Sequence, residues 1–145
     1  MKIALGADHA GIDLKNVIAA WLTELGHDVR DLGTHDRASA DYPRHAFLVA
    51  DEVTSGRVER GLLFCGSGVG MAMAANRRRG VRAVNCHDVH LARLSRWHND
   101  ANVLTMGGRI VAPDLAKAVI AVWLDTSYEG GRHQRRIDLL DGPRS

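Results

Sequence analysis

The stretch Glu59–Asn76, ERGLLFCGSGVGMAMAAN, changes character twice along its length. Gly61–Cys65 is a short apolar run with charge before it, the pattern of a parallel strand buried on both faces. A glycine loop follows at once, and Met71–Ala75 are good helix formers, so the stretch predicts strand, glycine turn, helix. Such a loop can curl with its N–H groups inward, and the start of the helix adds unpaired donors. Gly66, Ser67, Gly68, Val69 and Gly70 are therefore expected to cradle an anion. Cys65 sits at the lip, where a helix N-terminus favours thiolate over thiol. The stretch thus offers a nucleophile or base beside a socket for negative charge. Two better-known phosphate loops do not fit: the third glycine of a dinucleotide fingerprint falls on Met71, and no G-x-x-x-x-G-K-[ST] run is present. A cysteine phosphatase would need arginine where Met71 stands.

Outward from this stretch, strand and helix patterns alternate. Lys2–Ala7 reads as a first strand, followed by an Asp8–Gly11 turn. Leu14, Val17, Ile18, Trp21, Leu22 and Leu25 recur at helical spacing, and Gly26 stops the pattern as a cap. His27–Leu32 reads as a second strand and Gly33–Tyr42 as polar loop. Pro43 opens a helix with Ala46, Val49, Ala50 and Val53 on one face. Val81–Cys86 and Asn102–Met106 are expected to be the fourth and fifth strands, and His87–Trp97 and Pro113–Leu124 the helices after them. This alternation predicts an α/β fold, a five-stranded parallel sheet between helical layers, with ligands outside the carboxyl ends of the strands.

The polar residues with chemistry in them fall at those ends. Asp8 and His9 follow the first strand, Tyr42 lies in the loop after the second, Cys65 and its loop follow the third, and Arg109 follows the fifth. Taken singly, His9 reads equally well as a turn residue and Asp8 as a helix cap; the convergence of four loops argues for a site. Arg132 and Arg136, four apart in a basic segment, would share a helix face and could hold one phosphate. His87 and His90 could share a face too, yet no H-E-x-x-H or C-x-x-C pattern accompanies them, and no metal site is expected. The run Arg77–Arg79 reads as solvated surface.

Composition narrows the class. The chain has 145 residues, 46% hydrophobic and 25% charged, with net charge +2, so a single globular domain spanning residues 1–145 is expected. That charge makes no case for a nucleic-acid partner. No apolar run approaches the roughly eighteen residues of a membrane span, and the chain opens directly into a strand, so neither membrane nor secretory segment is expected. Two cysteines, Cys65 and Cys86, fit a reducing, cytoplasmic compartment better than a disulfide framework.

The segments GADHAG (6–11), DYP (41–43), CGSGVG (65–70), AAN (74–76), SRWHNDANVL (95–104), GGR (107–109) and YEGGRHQRR (128–136) occur in the order found in one enzyme family. The chain resembles the type B ribose-5-phosphate isomerases, whose family also contains the galactose-6-phosphate isomerase subunits. The resemblance implies a Rossmann-like fold with a C-terminal helical extension. It also implies a homodimer, or a tetramer built from it, with each active site between subunits, and no metal or organic cofactor. It makes Cys65 the base that moves a proton between C1 and C2, and His98 of the neighbouring subunit the group that opens the sugar ring. Ser67 would support the thiolate or the substrate. Asp8, His9, Tyr42 and Asn99 would contact sugar or phosphate, and Arg109, Arg132 and Arg136 would hold phosphate together with His9. A branch that uses a carboxylate just past the glycine loop is not indicated, since Met71 stands there.

Three other readings stay open on sequence: an isomerase of a six-carbon sugar such as allose 6-phosphate or galactose 6-phosphate, a non-catalytic phosphosugar-binding protein, and a redox sensor pairing Cys65 with Cys86. Cys65 and His98 together favour an enzyme, because a binding module needs the arginines alone.

Overall fold

The computed structural model describes residues 1–142. The elements run β1 (Lys2–Ala7), α1 (Ile12–Glu24), β2 (Asp28–Asp31), α2 (Tyr42–Thr54), β3 (Arg60–Cys65), α3 (Val69–Ala75), β4 (Ala83–Asn85), α4 (Val89–Asn99), β5 (Val103–Gly107) and α5 (Pro113–Asp125). A 3-10 turn (Gly131–His133) then leads into α6 (Gln134–Asp141), the C-terminal helical extension. All strand pairs are parallel, in the order β2-β1-β3-β5-β4, giving the expected Rossmann-like sheet. Connections leave β1 and β3 toward opposite edges, so the crevice between these neighbours is the switch point where ligands bind in such sheets.

Side-chain alternation along β3 divides the core. Leu62 and Phe64 point to a layer built by α1, α4 and α5, with Leu14, Ile18, Ala92, Ile120 and Trp123. Leu63 and Cys65 point the other way, onto Ala46, Val49 and Ala50 of α2 and Met71, Ala74 and Ala75 of α3. Cys65 therefore enters the site from the α2–α3 side of the sheet.

Several boundaries differ from the sequence reading, each for a local reason. Tyr42 is the first residue of α2, not part of the loop before it, with Pro43 in the first turn after the Asp41 cap. β4 is only Ala83–Asn85, and α4 begins at Val89 because the Asp88 carboxylate caps it by accepting the Leu91 N–H at 2.8 Å. Residues 86–88 thus form a connection. The α4 helix ends where Asp100 adopts a left-handed conformation (φ 45°, ψ 45°). Its carboxylate there accepts Arg96 at 2.7 Å and Arg82 at 3.0 Å. Arg82 also reaches Asp141 at 2.5 Å, which ties α6 to the end of α4. No helix among the described residues is long and apolar enough to cross a membrane.

The α1 face is rotated relative to its expected position. Val17 and Leu25 are exposed, while Lys15 is fully buried and donates to both Asp31 oxygens at 2.6 and 2.5 Å. The Asp31 side chain keeps 31% exposure, so the two partners are unequal. Removing the carboxylate strands a buried ammonium, whereas removing the amine leaves a carboxylate that water can reach. Asp31→Ala is expected to destabilise by about 3 kcal/mol and Lys15→Met by about 1 kcal/mol or less. Urea unfolding of both variants checks the asymmetry, and a larger loss in Lys15→Met contradicts it.

Candidate active site

The site is built where β1, β3 and β5 end side by side. Asp8, Tyr42, Cys65, Gly66, Ser67, Gly70, Arg109 and Ile110 line one open cavity of about 440 Å³ at these ends. Loops after three strands and the start of α2 meet here, as the alternation predicted. Asp8 is buried, and its Oδ1 accepts the N–H groups of Ala10 at 2.9 Å and Gly11 at 3.1 Å. The carboxylate thus both fixes the turn and faces the cavity. Tyr42 covers the loop: a side chain at Gly70 would come within 2.7 Å of its ring.

The glycine loop is organised around the sulfur. The Gly68 N–H donates to Cys65 Sγ at 3.1 Å, and the Val69 N–H donates to Ser67 Oγ at 3.3 Å. Two of the donors expected to point at an anion are therefore directed at side chains of the loop itself, which corrects the picture of a uniform cradle. Gly68 has φ 81°, and a Cβ there would lie 2.2 Å from Asn85 Oδ1, so only glycine serves. Its carbonyl accepts the Thr105 hydroxyl at 2.8 Å, and the Asn85 amide donates to the Ser67 carbonyl at 3.3 Å. Asn85 and Thr105 are supporting residues that sequence reasoning missed. Their signal was a polar side chain inside a strand pattern that is otherwise apolar.

The remaining candidates lie elsewhere on the chain. His9 is exposed, and its Nδ1 accepts the Ala40 N–H at 3.1 Å, joining the first turn to the 33–41 loop rather than lining the cavity. His98 and Arg132 line a second cavity with Trp97, Ser127, Tyr128 and Glu129, which shares no residue with that of Cys65. Arg132 and Arg136 flank a third hollow with Arg135 and Gly131. They do not lie on one continuous helix: Arg132 belongs to the 3-10 turn and Arg136 to α6, and Arg136 donates to the Arg132 carbonyl at 3.1 Å. Asn99 lines a further cavity of about 400 Å³ beside Arg78, Arg79 and Arg82. One chain therefore presents two groups of candidates: Asp8, Tyr42, Cys65, Ser67 and Arg109 in one place, and His98 with Arg132 in another.

His98 is held by neighbours the sequence reading did not single out. Its ring stacks on His133 with centroids 4.5 Å apart and planes 19° from parallel. Glu129 Oε2 lies 3.2 Å from His133 Nε2 and 4.0 Å from His98 Nε2. The three ligand atoms fall within 4.8 Å of one another. Lone pairs confined to two nearly parallel ring planes do not meet at a point, so the rings would have to unstack before both could bind one ion. As it stands, His98 is supported by stacking on His133, which is itself hydrogen-bonded to Glu129.

Cys65 and Cys86 are free thiols in the cores of opposite sheet faces. Burial pushes the Cys86 thiol up, and its sulfur sits 3.1 Å from the Asp88 carbonyl. A pairing between them within one chain would have to cross the sheet, so Cys86 does not supply the nearby resolving cysteine that the redox-sensor reading needs.

Comparison with known proteins agrees along nearly the whole chain. The family model described as Ribose/Galactose Isomerase matches residues 3–140. Ribose-5-phosphate isomerase B of Escherichia coli (strain K12) is 49% identical over 139 residues, 96% of this chain and 93% of that protein. D-erythrulose-4-phosphate isomerase of Pectobacterium atrosepticum is 40% identical over 142 residues, 97% of this chain and 93% of that protein. The structure of Clostridium thermocellum ribose-5-phosphate isomerase B superposes with a TM-score of 0.96 at 45% identity, covering 97% of this chain and 95% of that one.

Proposed function

Because the chain belongs to the ribose/galactose isomerase family and is a sugar-phosphate isomerase, we propose that it interconverts ribose 5-phosphate and ribulose 5-phosphate, with Cys65 as the base. The supporting observation is the cavity at the switch point, where Cys65 stands beside Asp8, Ser67, Tyr42 and Arg109. In the open-chain aldehyde the thiolate takes the C2 proton, and the C–H electron pair forms the C1–C2 double bond as the carbonyl electrons move onto O1. O2 gives up its hydroxyl proton as O1 gains one, and the thiol returns its proton to C1 to give the ketose. Loop N–H groups not engaged by Cys65 and Ser67 stabilise the enediolate oxygen.

Ring opening requires a proton donor and acceptor at the ring oxygen, a task suited to imidazole near neutral pH. His98 fills this role from a second copy of the chain, a reading supported by the separate cavities of His98 and Cys65. Asn99 would contact the sugar from the same copy. Arg109, Arg132 and Arg136, with His9, hold the phosphate, and binding energy from this remote group orients the reacting carbons. The same chemistry serves other chain lengths, since only the distance from base to phosphate changes.

Purified protein assayed on four-, five- and six-carbon aldose phosphates tests the substrate. The expected result is the highest kcat/KM on ribose 5-phosphate. A higher value on erythrose 4-phosphate, allose 6-phosphate or galactose 6-phosphate would move the assignment to that sugar.

A further inference from the structure

Strand β5 outruns its edge partner. The last register pair between β4 and β5 is Asn85 with Thr105, after which the Cys86 N–H still donates to the Thr105 carbonyl at 3.1 Å. Two residues on, Gly107 is buried, and its N–H faces the side that β4 has left. A buried N–H without an acceptor is costly. Here the acceptor is a side chain: His87 Nε2 takes the Gly107 N–H at 2.9 Å, in place of a strand carbonyl.

The segment held in this way also holds the base. Gly107 pairs in register with Cys65. The Gly108 N–H donates to the Cys65 carbonyl at 2.7 Å, and the Arg109 N–H to the Gly66 carbonyl at 3.1 Å. The Gly107 carbonyl accepts Ile110 and Val111, each at 3.0 Å, and so closes the turn that carries Arg109. A Cβ on Gly107 would lie 2.8 Å from both the Gly66 carbonyl oxygen and Ser67 Cα, so the two loops are in backbone contact. Residues 107–109 are thus stitched to His87 on one side and to Cys65 and Gly66 on the other.

We propose that His87 is a positioning residue for the isomerase reaction, its neutral imidazole fixing the Gly107–Arg109 loop and through it the placement of Cys65 and Arg109. The inference rests on the reading of Cys65 as the base. To accept at Nε2, the ring must carry its one proton on Nδ1. Protonation places a second donor opposite the Gly107 N–H, and the bond is lost. Burial holds the His87 imidazolium below the usual histidine range of about 6.5. The neutral ring, and the clamp with it, is therefore complete above that range and is lost as pH falls through the lowered value. The titratable groups on the segments that His87 joins are Cys86 and Asp88 beside it in sequence, His90 in the first turn of α4, Cys65 in register with Gly107, and Arg109 on the loop. Burial alone accounts for the direction of the shift.

The test compares wild type, His87→Leu and His87→Gln by kcat and KM against pH, and by amide hydrogen exchange over residues 105–110. Leucine removes the acceptor, and the expected result is faster exchange at Gly107 and a kcat lowered about tenfold with KM changed less than about twofold. Glutamine can bring a carboxamide oxygen near the Nε2 position and does not titrate. It is expected to restore exchange protection and turnover above pH 7 while removing the part of the acid decline that belongs to His87. Unchanged exchange in His87→Leu overturns the clamp, and faster exchange with wild-type kcat and pH profile overturns its effect on catalysis. Equal loss of turnover in the leucine and glutamine variants, with an unaltered acid limb, assigns His87 a purely structural role and also overturns the proposal. Failure of the Cys65 reading shows separately, as a Cys65→Ser protein that keeps its turnover.

Discussion

Replacing Cys65 by serine is expected to lower isomerase turnover by about 10³-fold while leaving fold and substrate affinity in place. The substitution keeps the shape of the side chain at a position that is 5% exposed and packed beneath α2 and α3. The Gly68 N–H that now donates to sulfur can donate to the serine oxygen instead. What changes is the acid: a hydroxyl is far less ionised than a thiol near neutral pH, so the population able to accept the C2 proton collapses. A circular dichroism spectrum and a binding isotherm matching wild type, with kcat lost, would locate the effect in the proton transfer. A variant turning over at close to the wild-type rate would give the base role to another group, with Asp8 the carboxylate that lines that cavity.

Mixing two inactive proteins, Cys65→Ala and His98→Ala, is expected to restore activity. A two-fold interface exchanges the same residues in both directions, so a mixed dimer carries both lesions in one site and neither in the other. Random pairing at equal amounts yields about half heterodimers, each with one intact site, and so roughly a quarter of wild-type activity. Co-expression or joint refolding is needed to form the mixture, and native mass spectrometry should confirm the heterodimer before the assay. Heterodimers without activity would place Cys65 and His98 in one chain's site. The two cavities would then have to be brought together by movement within the chain, since they share no lining residue.

The parts legible in the sequence are those where neighbouring residues carry the information. Gly61–Cys65 announced a central strand because both its faces are covered, and the glycine loop announced its turn because Gly68 requires a positive φ. Boundaries set by partners far along the chain were not legible. The burial of Lys15 depends on Asp31 at the end of a different element, and helical spacing alone placed Val17 and Leu25 on the core side. Similarly, Val81 and Cys86 are buried and apolar enough to extend β4 at both ends, yet only Ala83–Asn85 pair in register with β5. Motif matching gathered Cys65 and His98 into one list. The spacing of the residues gave no sign that one chain holds them in separate cavities; the expectation that His98 serves a neighbouring subunit came from the family resemblance alone.

The order of strands in space bears on how the chain is made. β4 is synthesised before β5, yet β5 lies between β3 and β4 and is, among the described residues, the only strand that pairs with β4. A growing chain that has reached Asn85 can assemble β2, β1 and β3, but Ala83–Asn85 has no ladder to join and Arg60–Cys65 presents one bare edge. An open, apolar edge of this kind is a template for pairing with other chains. The ribosome must add α4 and then Val103–Gly107 before that edge closes, and the same insertion brings Gly108 and Arg109 onto Cys65 and Gly66. Completion of the sheet therefore coincides with the docking of the Gly107–Arg109 loop against Cys65 and Gly66.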